Sequence, residues 1–205
     1  MKLKKFAAVA MAAVMSLAMF TACSGGGGGS STKGTAYTRE TVVIKEGNQT
    51  YTEETGKKKY VISNGIWSYS RETSVLSNRV SESLSSITGN KGKAYTVNTK
   101  DDNAWKAYYV TDVTIKNIKK EDGTEDEYKT SKITITCTIQ GRDFTATETY
   151  YYEKSSNTLK YIKNENDGVV TIEKVLRDTS GVDSANAAKL DINKYTIVKN
   201  IEDLG

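Results

Sequence analysis

The sequence predicts a mainly β chain: a single antiparallel-meander domain, a barrel or half-barrel, with one short amphipathic helix at about residues 74–88. Three observations carry this expectation. Long stretches of residues 105–176 alternate apolar and polar side chains, the period of a strand with one face buried and one wet. Asn64-Gly65 sits between two β-type runs, a strong short hairpin signal because both residues tolerate positive φ. Thr, Val, Ile and Tyr are frequent after residue 35, and they suit a pleated, half-buried surface.

Taken in order, the chain opens on a positive segment with Lys2, Lys4 and Lys5, then an uncharged apolar run from Phe6 to Phe20. That run is short for a bilayer span, which needs about 20 apolar residues. Small residues follow it, as at a signal-peptide cleavage site. Phe20-Thr21-Ala22-Cys23 resembles the lipobox of bacterial lipoproteins, with Phe where Leu is usual. The resemblance covers only the first 23 residues. It implies cleavage before Cys23, a diacylglycerol on the Cys23 sulfur, and an extracytoplasmic protein anchored to a bacterial cell membrane through lipid. Ser24 to Ser31, with Gly25–Gly29, form a Gly/Ser tether that behaves as flexible coil. The expected organisation is a signal peptide at 1–22, lipidated Cys and tether at 23–34, and a β-rich domain at 35–205.

Within that domain, Thr38 to Lys45 and Gln49 to Thr55 form a first strand pair around Gly47-Asn48. Tyr60–Ser63 and Ile66–Tyr69 form the Asn64-Gly65 hairpin. Leu76, Val80, Leu84 and Ile87 then recur at helical spacing, with Ser74 as a cap and Gly89 as a stop. The meander follows. Trp105, Ala107, Tyr109, Val113 and Ile115 share one strand face. Glu121 to Glu127 read as a polar loop. Ile133, Ile135, Cys137 and Ile139 alternate with Lys132, Thr134, Thr136 and Thr138. Phe144, Ala146, Tyr150 and Tyr152 give the next inner face, before strands at 159–162 and 169–176. Asp183 to Leu190 suggest a short second helix and Tyr195 to Val198 a last strand.

Composition excludes more than it suggests. The chain has no His and no Pro. Without His there is no Ser-His-Asp or Cys-His arrangement and no His-ligated zinc; no catalytic motif is present, and the expectation is a non-enzyme with no cofactor and no metal. Removing residues 1–22 removes three Lys and no acid, so the net charge falls from +4 to +1. That is no basis for nucleic-acid binding. There are two Cys; with Cys23 lipidated, no intramolecular disulfide is possible, and Cys137 reads as a small buried side chain. The acids around Gly123 lack EF-hand spacing and read as a solvated loop.

Glu148 stands out, in phase with an otherwise apolar face. A dry, unpaired carboxylate there is costly. It faces a ligand cavity, pairs with a Lys or Arg, acts as an acid of raised pKa, or is turned into water by a bulge. Three functions follow. The first is a non-catalytic binding module for a small apolar or amphipathic ligand, in a cavity between the 105–152 sheet and the 74–88 helix, lined by Glu148, Trp105, Tyr109, Tyr150 and Tyr152. The second is a protein- or glycan-interaction module that uses Tyr108 and Tyr151 as a surface platform. The third is a carboxylate-dependent hydrolase built on Glu148.

Overall fold

The computed structural model describes residues 36–77, 79–88, 90–98 and 107–198. The expected signal peptide, Cys23, the expected tether and Trp105 lie outside the described residues. The strands are β1 (Tyr37–Glu46), β2 (Gln49–Thr50), β3 (Lys58–Ser63), β4 (Trp67–Ser74), β5 (Arg79–Thr88), β6 (Lys91–Asn98), β7 (Ala107–Glu125), β8 (Tyr128–Ile139), β9 (Arg142–Glu153), β10 (Leu159–Asn166), β11 (Val169–Ser180) and β12 (Thr196–Val198). Among the described residues they form one sheet of twelve strands, a meander from β3 to β11 with β1 beside β3. Antiparallel pairing of β1 with β11, Tyr37 opposite Ser180 through Glu46 opposite Thr171, returns the sheet on itself as a ring. β12 pairs in parallel with the start of β7, Thr196 opposite Ala107. It takes the edge that β8 leaves beyond Val113, the partner of Ile139.

A ring has an enclosed face and an outer face, and side chains alternate between them. The enclosed face of β7 to β10 is mostly apolar, Glu148 and Asn164 apart: Val113, Ile115, Ile133, Ile135, Cys137, Ile139, Ala146, Tyr150 and Ile162 are buried in one cluster. Their partners Thr134, Thr136, Thr145 and Thr147 meet across β8 and β9 as hydroxyl pairs 3.1 Å apart on the other face. A second cluster lies on the outer face of β3 to β5. Ile62, Tyr69 and Leu84 are covered there by Leu190, with Val182, Ile192 and Tyr195 around it. These come from the strap that leads from β11 to β12. It contains helix α1 (Ser184–Ala187), capped by Asp183, whose carboxylate accepts from the Asn186 amide at 2.8 Å. The Lys189 ammonium lies 5.2 Å from the Tyr60 ring centre and 5.6 Å from that of Tyr69.

The meander and the short helix near 183–190 match the sequence reading. The helix at 74–88 does not form: β4 runs through Ser74 and β5 spans Arg79–Thr88. Ser is a weak helix former, and the register offers it a better use. Ser83 and Ser85 are buried on one face of β5, and the Ser83 hydroxyl meets that of Ser70 on β4 at 2.7 Å. Leu84 faces the strap, while Leu76, expected on the same helical stripe, is 71% exposed at the β4–β5 tip. The loop expected at Glu121–Glu127 is also shorter. β7 continues to Glu125, with Glu121 opposite Lys132, and the turn is Asp126-Glu127. Exposed, cross-paired charges are compatible with a strand whose two faces are wet. At the Asn64-Gly65 turn, Gly65 takes φ 87°, and the Asn64 side chain accepts from the Ile66 and Trp67 amides at 3.0 and 2.8 Å. Of the second strand of the first pair only Gln49–Thr50 forms. The chain then turns at Gly56, where a Cβ would lie 2.1 Å from the Val43 carbonyl oxygen.

Candidate functional site

Opposite the apolar wall, β1, β3, β10 and β11 place charges on the enclosed face. β1 contributes Tyr37, Arg39 and Thr41, β3 Lys59, β10 Asn164 and β11 Glu173. The Arg39 guanidinium lies 4.8 Å from the Tyr37 ring centre and 5.8 Å from that of Tyr150 on β9. β9 is separated from β1 by β10 and β11 along the sheet, so this contact crosses the interior.

Glu173, 3% exposed, is the hub. Its Oε1 accepts from Lys59 Nζ at 2.9 Å and from Asn164 Nδ2 at 3.0 Å. Its Oε2 accepts from the Thr41 hydroxyl at 2.7 Å. Three donors fix both oxygens, the arrangement that makes a buried carboxylate tolerable. Burial pushes the Lys59 amine down, but the carboxylates of Glu173 and Glu148 outweigh it and hold it above the ordinary lysine range. Arg39 donates from Nε to Asp178 at 2.9 Å.

Glu148 is 6% exposed and accepts from the Tyr150 hydroxyl. Its strand runs in unbroken register with β8 from Arg142 to Glu153, so no bulge turns it to water. Burial raises its pKa; Lys59, Tyr150 and Arg39 pull it back, and Glu173 adds to the rise. Burial likewise pushes the Tyr37 hydroxyl up to about 12 and the Tyr150 hydroxyl well above its usual value.

The structure brings Glu148 and Tyr150 together; Trp105 lies outside the described residues. Tyr152 packs half-buried at the edge of the apolar cluster. Tyr109 accepts from Gln140 Nε2 at 3.0 Å at the opposite end of the meander. The cavity expected between sheet and helix has no helix to bound it. Cys137 sits in the apolar wall, where burial pushes its thiol up to about 11, the setting of an inert core cysteine. Arg39, Lys59, Asn164 and Glu173 were not singled out from sequence. Their signal was the one that marked Glu148, a polar residue in phase with buried neighbours, but β1 and β11 carry register shifts that blur the phase.

The outer face of β8 to β10 carries aromatic rings. Tyr128 stands edge-on to Tyr151, centroids 6.0 Å apart, and to Tyr161 at 5.8 Å, both at 88°. The Tyr151 hydroxyl donates to Glu125 Oε2 at 3.0 Å. All three rings are half-buried. The side chain of Tyr108 lies outside the described ones. Among the described residues, no group of acids, Cys or His is placed to hold a metal ion, and no helix is long and apolar enough to cross a membrane.

Compared with known proteins, the chain matches no protein-family model and no curated protein sequence.

Proposed function

We propose that the chain is a lipid-anchored extracytoplasmic lipoprotein whose β ring is a non-catalytic binding module, engaging a cell-envelope protein or glycan through its outer wall. The observation that carries this reading is the row of Tyr161, Tyr128 and Tyr151 on the outer face of β8 to β10. Half-buried tyrosines offer rigid apolar surface and a polar tip at little entropic cost. Glu125 and Lys154 at the same end of the sheet supply a charged border; Lys154 Nζ donates to the Asp126 carbonyl at 2.7 Å.

The enclosed face supports a small-ligand role less well. Its charged groups already satisfy one another, and among the described residues the buried side-chain polar atom left without a hydrogen bond is the Tyr60 hydroxyl, on the face under the strap. A small amphipathic ligand retains one supporting observation, an apolar wall facing a charged one. A hydrolase built on Glu148 has less again, because Tyr150 occupies that carboxylate and, among the described residues, Glu173 close to it is already held by three donors.

The test is capture of envelope components by the full chain in detergent, comparing wild type with Tyr128→Ala/Tyr151→Ala. Selective loss of a partner supports the outer wall. Unchanged capture removes it, and an apolar molecule extracted from the purified protein returns the weight to the interior. The anchor is tested separately: Cys23→Ala shifts the protein from the membrane to the soluble fraction if Cys23 bears the lipid.

A further inference from the structure

We propose that Lys59 and Asn164 are a cross-linking pair: the Lys59 amine displaces ammonia from the Asn164 carboxamide, with Glu173 as proton relay, to give an intramolecular amide between β3 and β10. Both nitrogens donate to the same oxygen, Glu173 Oε1, at 2.9 and 3.0 Å. An amine and a carboxamide held on one carboxylate oxygen are a nucleophile, an electrophile and an acid–base group already assembled. Thr41 holds the other oxygen at 2.7 Å, so the carboxylate cannot swing away. The three residues come from three strands, and β3 and β10 are not neighbours in the sheet. The bond therefore crosses the enclosed face, where Glu173 is buried beside Val43 and Ile162.

The chemistry closes without a cofactor. In the resting ion pair Lys59 is an ammonium and Glu173 a carboxylate. A proton passes from Lys59 Nζ to Glu173 along their hydrogen bond, leaving a neutral amine and a neutral acid. The amine attacks Asn164 Cγ, forming the new C–N bond. Glu173 returns its proton to the departing Nδ2 as the old C–N bond breaks. Ammonia leaves and takes up one of the two protons still on the former ammonium, the other staying as the new amide N–H, and Glu173 is a carboxylate again. The raised affinity of Lys59 for its proton makes the first transfer the uphill step, and exclusion of water favours the neutral pair once formed. The chain has two Cys, one of them in the lipobox-like segment. An amide tying residue 59 to residue 164 would do the work of the disulfide that the mature chain lacks.

The experiment is tandem mass spectrometry on a tryptic digest of the purified full chain. The expected product is a branched peptide, residues 59–71 joined through Lys59 to residues 164–174, lighter than the two parts by one ammonia. Linear peptides with unmodified Lys59 and Asn164 would overturn the proposal. Lys59→Arg keeps the charge and, in protein that retains its strand signal by circular dichroism, should yield linear peptides only; ammonia still lost from residues 164–174 in that variant would trace the loss to Asn164 alone and refute the cross-link. Asn164→Asp should form the same bond with loss of one water. Glu173→Gln should leave both residues unmodified in a protein that retains its strand signal by circular dichroism.

Discussion

The two walls of the enclosed face are held by different physics. On β7 to β9, stability is spread over many small apolar contacts, Ile133, Ile135 and Ile139 among them, each replaceable at moderate cost. On β1, β3, β10 and β11 it is concentrated in a few charged groups that depend on one another. Glu173 alone satisfies Lys59, Asn164 and Thr41. The apolar wall should degrade gradually under mutation, and the charged wall should fail at single points.

The largest effect should therefore come from Glu173→Ala, which leaves the Lys59 ammonium in the interior without its carboxylate. A loss of about 3–5 kcal/mol is expected for breaking a buried pair from one side, read by urea denaturation. Ile135→Ala, in the apolar wall, should cost about 3 kcal/mol through lost burial and the cavity left behind. If both variants lose the same amount, the contrast between the walls is wrong. Leu190→Ala, which uncovers the outer cluster beneath the strap, should cost about 2 kcal/mol, with hydrogen exchange rising over residues 181–195 before it rises in β8.

Titration sharpens the same contrast. The Glu148 carboxyl has a folded pKa above its unfolded one, so the folded state holds the extra proton. Its contribution favours folding below the ordinary carboxylate range and is lost as pH rises through the raised value. Glu148→Gln should flatten that part of the fall in urea midpoint between mildly acidic and neutral pH; an unchanged slope would mean that Glu148 does not carry it. The smallest effect is expected outside the ring, where Lys116 and Asp143 meet at 2.6 Å with half-exposed side chains. Lys116→Ala should change stability by no more than about 0.5 kcal/mol, measured by the same urea titration.

Much of this architecture was legible because β8 and β9 alternate cleanly. Ile133, Ile135, Cys137 and Ile139 needed only a period of two to be placed inside, and the same phase placed Glu148 there. Residues 74–88 misled because four apolar residues happen to fall at helical spacing, while the buried Ser83 and Ser85 have no apolar signature. The charged wall was hidden for a further reason. Asn164 and Glu173 share the β10–β11 hairpin, but Lys59 is 114 residues from Glu173, and only ring closure between β1 and β11 brings it to that carboxylate. No local pattern reports a long-range closure. The outer Tyr cluster was half visible: the Tyr run announced aromatics on both faces, but the rings that meet there, Tyr128 and Tyr161, follow from register alone.

Pairing β1 with β11 also sets a schedule. Tyr37 waits for Ser180, so a chain emerging from its N-terminus cannot complete its sheet until nearly all of it has appeared. Such non-local pairing folds slowly. In a protein exported as proposed, the delay is useful: a ring that cannot close early stays threadable for as long as it is crossing the membrane.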